Sequence, residues 1–578
     1  MRRRETVRLT GALVLAGGFV VACPSPKPTR SDRGKLSTAS APSSDPSRPI
    51  VIPVNTRITS LDPLEAEDRN ARLVVAQLFD TLVDYGKATD ELVPELAVSL
   101  PTFDAGTQEL TFRLPTGEQA PQFSDDPCFA NGMGRAVLAS DVAYSLRRHE
   151  DVTRSSHGLL ASRLDAAAGN FASAIESDDR AGTVRLRLRG PAPELVAMLA
   201  NPQMAIVPRE CVTYYDGQNR PAFREHPVGS GPFALDYAAS EPGRRVVLVR
   251  HPPAGAGEAP PRRLRAAHDR VQIEYFRSAE TALRLFQAGQ LATLSPGQSQ
   301  FTALFQGTQP RDPSLTVVRT PLLATTLLMF NQRAPWVGNH RDPQIAAKQR
   351  ALREAIALAF DAGRYHTVLR NGAWAEPAVR LVPPRWAPAD APRHRHAPLQ
   401  RDVVAARRAL ARFDPDPALE LTLRYLTTDD ENARQDAAIL RHALAPLGIH
   451  LDVTHDPAYL AKLLARDPTY AQAHLFAVNF DADYPAAESW LGAFRCAEVL
   501  ALLAGYCSAD YDATFARLAG ASTLERNRLV AALEQHLADA VVFRPIDHPH
   551  AWLVAQPGIT GVERHPMAGL RIERLAWR

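Results

Sequence analysis

Apolar positions along this chain fall into two rhythms that take turns. Leu352, Ala355, Ile356, Ala359 and Phe360 recur at steps of three and four, which predicts one buried face of a helix. Leu419, Leu421, Leu423 and Tyr425 alternate, which predicts a strand. A helical set follows: Ala433, Ala437, Leu440, Leu444 and Leu447. Gly448 then stops it, and Ile449, Leu451 and Val453 alternate again. Strand, helix and strand in this order predict a parallel pair with a right-handed crossover. Leu529, Val530, Leu533, Leu537, Ala540 and Val541 mark a late helix, and short strands are expected at 110–114, 184–188 and 246–249. The fold class is therefore mixed α/β. Residues 384–401, rich in Pro and His, read as a surface loop.

The pattern starts only at Ile50, and what precedes it is of another kind. A basic stretch at 1–8 leads into an apolar stretch at 12–22, too short to span a bilayer but long enough for a signal-peptide core. It ends Val20-Val21-Ala22-Cys23, which resembles the bacterial lipobox, in which the cysteine is acylated and becomes the mature N-terminus. Residues 1–22 are thus expected to be a lipoprotein signal peptide. Residues 23–49, dominated by Pro, Ser and basic residues, are expected to be the acylated Cys23 and a disordered tether, since they hold too little apolar surface to offset ordering entropy. The net charge of +3 belongs to this region, because the first 22 residues alone carry +3 and the body after the tether is slightly acidic. That balance argues against a nucleic-acid binder. The 578 residues, taken as length alone, suggest about four domain-sized units.

Candidate chemistry changes this picture little. Four cysteines remain beyond Cys23, and an even number in an exported chain permits disulfides in three connectivities. Cys496 and Cys507 enclose a short loop and are the favoured pair, which leaves Cys128 with Cys211. No HExxH, GxSxG or P-loop pattern occurs. His394 with His396, and Asp547 with His548 and His550, read as solvated surface rather than metal ligands. Asp125-Asp126 and Asp429-Asp430 read as solvated faces or helix caps. No metal, cofactor or catalytic set is expected.

Several stretches in order resemble the family 5 extracellular solute-binding proteins of ABC transporters, which bind oligopeptides, dipeptides or nickel. They are Ser60-Leu61-Asp62-Pro63 with a helix-like run at 70–85; LTFRL at 110–114 with Phe123-Ser124-Asp125 and LASDVAYSLRR at 138–148; AIVPR at 205–209 and HPVGSGPF at 226–233; Phe330-Asn331 with REAIALAFD at 353–361; the strand–helix–strand unit at 419–453; DADYPAAESWL at 481–491; and GYCSADYD at 505–512. The resemblance implies a two-lobed periplasmic-binding-protein type II fold, cluster C-like, instead of four consecutive domains. Lobe one is expected at 50–325 with a C-terminal return at 549–578, and an extra subdomain at about 86–225. Lobe two is expected at 326–548.

The resemblance also implies a site. Asp483 matches the Asp that pairs with a peptide's α-amino group, a charge-assisted hydrogen bond. Asn479, Phe480 and Asp481 match a strand that pairs with peptide backbone, and Glu67, Asp68 and Arg69 are its neighbours on the other lobe. Trp490 reads as core, and Gly229, Ser230, Gly231 and Pro232 as a turn whose glycines supply positive φ. A cysteine pair of the dipeptide-binding branch lies where Cys496 and Cys507 stand. The sequence departs from the family at Ala486-Ala487-Glu488, in the insertion 126–137 and near His157, positions where specificity is set. The expected function is an anchored monomeric receptor, not an enzyme. It captures a peptide or peptide-like solute outside the cytoplasmic membrane by lobe closure and hands it to permease and ATPase subunits; it touches the membrane through its lipid alone and binds no nucleic acid. A non-transport sensor, or a nickel or haem binder of the same fold, is the alternative reading.

Overall fold

The computed structural model describes residues 48–578, apart from 67, 87–89, 151–159, 161–162, 166–170, 191, 218–221, 252–265, 417 and 568. The stretches expected to be signal peptide and most of the tether, with Cys23, Glu67 and His157, lie outside the described residues.

The chain enters through β1 (Ile50–Val54), whose alternate residues Ile50, Ile52 and Val54 are buried. Helix α1 (Arg69–Leu78) follows. Its N-cap is Asp68, which accepts hydrogen bonds from Asn70 N and Ala71 N at 2.9 Å. The helix ends earlier than the apolar run at 70–85 predicts. The Leu78 carbonyl accepts from Gly231 N at 3.0 Å, and Val83–Tyr85 pairs as a strand with Leu92–Pro94. Strands β2 (Glu109–Arg113) and β3 (Thr183–Arg187) pair antiparallel and, with Thr102–Asp104 and Ile175–Asp178, make a separate four-stranded sheet. Then β4 (Phe233–Leu235), β5 (Arg245–Arg250) and β6 (Arg270–Tyr275) join β1 in the order β1-β6-β5-β4, with β1 and β6 parallel.

The chain crosses to a second lobe through β7 (Thr316–Pro321) and β8 (Ala324–Phe330). Helix α2 (Pro343–Ala359) has Asp342 as N-cap and Pro343 in its first turn, and it buries Ala351–Ala359. Helix α3 (Ala362–Leu369) follows. Strand β9 (Leu421–Thr427), helix α4 (Glu431–Leu444) and strand β10 (Ile449–His455) form the strand–helix–strand unit, and β9 and β10 are parallel in register from Leu421↔Ile449 to Thr427↔His455. The helix tightens to a 3-10 turn over Ala445–Leu447, and Gly448 takes φ +69°. Strand β11 (Leu475–Asp481) runs antiparallel to β8, and helix α5 (Thr523–Ala540) supplies the late amphipathic element.

The return is one long strand, β12 (Phe543–Ala555). Its first half pairs with β8 and its second half with β7. It is buried nearly throughout. A hairpin, β13 (Arg564–His565) and β14 (Gly569–Leu570), closes the chain on the first lobe, where Leu570, Ile572 and Trp577 join the core of Ile50, Val75 and Phe112. The second lobe has its own cores, one around Trp490, Phe494 and Leu533 and one around Leu352, Leu423 and Leu451.

Disulfides join Cys128 to Cys211 and Cys496 to Cys507. Gly229 and Gly231 do not adopt positive φ, contrary to the turn argument. They are glycines because a Cβ at either would run into the main chain of Leu78. Asp126 is not a solvated residue. It is 7% exposed and accepts from Cys128 N, from the Tyr215 hydroxyl at 2.7 Å and from His226 at 2.8 Å. His394, Asp547, His548 and His550 are buried too. His394 meets Glu534 at 3.2 Å, and Asp547 accepts from Arg370 Nε at 2.8 Å.

Candidate functional site

Two peptide segments face each other where the lobes meet. The first is the N-terminal half of α1, set by the Asp68 cap. The second is the end of β11 and the turn after it. Arg69 Nη2 donates to Asp481 Oδ1 at 2.6 Å across the gap. Both side chains are about half exposed, so this bond alone is worth roughly 0.2–1 kcal/mol. Arg72 lies one turn further along α1, within electrostatic reach of Asp481 and Asp483. A second bridge is better buried. Asp90 of the first lobe accepts from Arg385 Nε at 3.0 Å, Arg385 Nη2 at 3.2 Å and Trp386 Nε1 at 2.9 Å in the second. His565 Nε2 stands 3.6 Å from the same carboxylate. Burial pushes the Asp90 carboxyl up, but the hydrogen bonds from His565 and Arg385 prevail and hold it below its usual range. Met567, beyond β13, packs against the cores of both lobes.

The edge of β11 is the feature with binding capacity. On one side its residues pair with β8 along the whole strand, Asp481↔Ala324 through Leu475↔Phe330. On the other side β9 pairs only with Leu475 and Phe476. Ala482 N–H points to the β8 side, where it donates to Leu323 O, whereas the Ala477 carbonyl points away, to the Tyr459 hydroxyl. Alternation therefore turns the main-chain groups of Asn479 and Asp481 toward the edge that no described strand covers. Both residues are exposed, and Phe480 between them packs on the core.

The expected site residues separate into groups. Asn479, Phe480, Asp481 and Asp483 gather at the end of β11, and Arg69 reaches them. Asp483 is half-buried, its N–H donates to Ser489 Oγ at 2.7 Å, and its charge acts on Arg72 and Tyr484. Asp68 serves as the cap of α1, with Oδ1 occupied by two backbone donors, where the sequence reading gave it to a ligand. Trp490 is fully buried and donates to Thr325 Oγ1 at 3.0 Å. Sequence reasoning missed Arg72, Asp90 and Arg385. Arg72 carried a signal, three residues after Arg69 on one helix face; the others are brought in by long-range packing. Asp126, Cys128 and Cys211 are the one described grouping with metal-ligand spacing, and its two sulfurs are bonded to each other.

The model for bacterial extracellular solute-binding proteins, family 5, middle part, matches residues 91–496. The chain belongs to that family. Among family 5 relatives it is 26% identical over 342 residues to the peptide transport periplasmic protein SapA of Salmonella typhimurium. That match covers 57% of this chain and 56% of the relative, so the chain spans little more than half of that relative's length. It is 24% identical over 511 residues to the probable di/tripeptide-binding protein 5 of Pseudomonas aeruginosa, covering 86% of this chain and 90% of that one. The ABC transporter-associated periplasmic binding protein DppA from Helicobacter pylori, solved in complex with the peptide STSA, superposes with a TM-score of 0.71 at 19% identity, over 91% of this chain and 98% of that one. The shared architecture is the two-lobed α/β fold of family 5.

Proposed function

We propose that this family 5 protein is the binding component of an ABC importer, and that it captures a peptide or peptide-like solute in the cleft between its lobes. The observation that carries the reading is the uncovered edge of β11. An extended peptide laid there gains main-chain hydrogen bonds from Asn479 and Asp481 without its side chains being read. Asp483, at the end of the edge, holds the peptide's α-amino group. The names of the Salmonella and Pseudomonas relatives support a peptide as cargo. The lobes are 50–325 with 549–578, and 326–548, with an extra subdomain over 86–225. β7–β8 and β12 are the hinge passages. Contacts with both lobes favour the closed state, and that difference in affinity drives closure. Cys23 carries the lipid that keeps the monomeric receptor at a membrane, outside the cytoplasm, where a permease and its ATPase take the cargo. No bond is made or broken in the receptor.

Calorimetry with trialanine tests the amino anchor. Asp483→Ala should weaken binding by about 10–100-fold, the worth of one hydrogen bond to a charged group. N-acetyl-trialanine should bind the parent as poorly. If Asp483→Ala matches the parent, or acetylation changes nothing, Asp483 does not hold the amine. Native mass spectrometry of protein purified without added ligand should show a retained peptide mass.

A further inference from the structure

A cavity of about 210 Å³ opens between α3 and α4 of the second lobe, and its lining shares no residue with the edge of β11. Helical spacing builds two of its walls. Arg364 and Val368 stand four apart on α3, and Ile439 and His442 stand three apart on α4, so each pair shares a face. The third wall is the segment around Arg401. Main-chain bonds seat that segment at the head of α3, Gly363 N donating to Leu399 O at 2.7 Å and Asp402 N to Leu358 O at 2.9 Å, and the buried Arg544 donates to Pro398 O at 2.7 Å. Asp361 is the one acid in the lining. Its Oδ1 accepts from Arg364 N at 2.8 Å as the cap of α3. The guanidiniums of Arg364 and Arg401 make no hydrogen bond or ion pair among the described residues. Arg412 and Arg434 on neighbouring helices, in contrast, pair with Glu354 and Asp429. Val368 completes the picture from the apolar side, since it leaves 54% of its surface to water. A concave site with apolar walls and a few convergent polar groups is the usual form of a small-molecule pocket, and the unanswered groups here are two guanidiniums.

We infer that this cavity is a second ligand site and that it takes a small amphipathic carboxylate. The acid head lies between Arg364 and Arg401, and a short hydrocarbon body lies along Val368 and Ile439. A guanidinium fork matches a carboxylate in two parallel bonds, which a lysine does not offer. His442 at the same rim adds a ring nitrogen as a further polar partner. The volume equals that of roughly seven waters at about 30 Å³ each, so a body of about five carbons fits beside the head. The inference is independent of the peptide reading, because cargo on the β11 edge and an acid here use different residues.

The probes are three small molecules titrated by calorimetry at fixed ionic strength: hexanoate, hexanamide, which keeps the shape without the charge, and acetate, which keeps the charge without the body. Hexanoate should bind the parent in the millimolar range. Acetate should bind about tenfold or more weaker, because it lacks four methylenes to bury. Hexanamide should bind about fivefold or more weaker, the upper worth of an ion pair at an exposed rim. Arg364→Gln and Arg401→Gln should each weaken hexanoate toward the level of hexanamide. Ala438→Leu puts a larger side chain into the cavity from α4 and should abolish hexanoate binding. All three positions are exposed, so the variants should melt with the parent. Equal binding of hexanoate and hexanamide by the parent overturns the acid head, and equal binding of hexanoate and acetate overturns the hydrocarbon body; neither result needs a variant to fold. Hexanoate binding that survives both Ala438→Leu and the double arginine substitution lies elsewhere on the protein and overturns the site. So does the absence of hexanoate binding at high millimolar concentration, and in each case the peptide reading stands or falls on its own test with trialanine.

Discussion

At Gly231 a methyl group would stand 2.6 Å from the carbonyl carbon of Leu78 and 2.7 Å from Gln77 O, both main chain and neither free to yield. The contact seats the 226–233 loop on the C-terminal end of α1, and Ser230 Oγ adds a hydrogen bond to Asp80 at 2.8 Å. Gly231→Ala should therefore lower stability by about 1–3 kcal/mol, the usual cost of overpacking. Gly190→Ala, where nothing lies within 4 Å, should stay within about 0.5 kcal/mol of the parent in the same thermal melts. Equal melts would mean that the loop gives way and does not position α1. The glycine pair was visible in the sequence but its reason was not. The local argument asked for positive φ, whereas the demand comes from a helix some 150 residues earlier. His394 and Asp126 teach the same point. Their neighbours in sequence are polar loops, and only folding brings Glu534 to one and Tyr215 to the other.

Among elements, the strand–helix–strand unit at 419–453 was the most legible, because its periodicities are local and its stop, Gly448, is a backbone requirement. The end of α1 was illegible for the converse reason. The apolar run continues to Tyr85, but the Leu78 carbonyl is taken by Gly231 and the chain after it pairs with Leu92–Pro94, so tertiary partners outbid the next helical turn. Helix α4 also carries a charge that its packing disfavours. Asp436 faces Tyr365 of α3, Arg370 after it, Tyr425 of β9 and Asp547 of β12. Burial pushes its carboxyl up to about 6; Arg370 and the Tyr365 hydroxyl oppose this, and Asp547 and Asp430 add to it. A folded pKa above the unfolded 3.8 means that the group's contribution is fully favourable below about 3.8 and is lost as pH rises through about 6. Asp436→Asn removes that titration. Its unfolding free energy relative to the parent should climb between pH 4 and pH 7.5, reaching about 2–3 kcal/mol in favour of the variant in denaturant melts. A flat difference across that range would show that Arg370 fully compensates the charge.

For the whole molecule, length alone suggested a string of four domains, and the order of weak motifs pointed instead to two interwoven lobes. Neither says how firmly the lobes hold together, because that depends on residues the chain separates by hundreds of positions. Asp90 is one of them. It takes three hydrogen bonds from Arg385 and Trp386, and His565 on its own lobe keeps it oriented. The carboxyl is held below its usual range, so its contribution to closure is present above the unfolded pKa and is lost as pH falls through the lower folded value. Asp90→Ala leaves Arg385 and the Trp386 indole N–H without this acceptor only while the lobes are shut, because opening gives both to water. The penalty of about 1–2 kcal/mol thus falls on the closed state. The closed population should drop about 5–30-fold relative to the open one, and the affinity for any ligand that needs closure should fall by up to the same factor. Small-angle scattering should show a larger radius of gyration for unliganded Asp90→Ala than for the parent, with the two converging at saturating peptide. If radius and affinity both stay at the parent's values, the lobes are held by Arg69–Asp481 and the Met567 contact, and Asp90 is no latch.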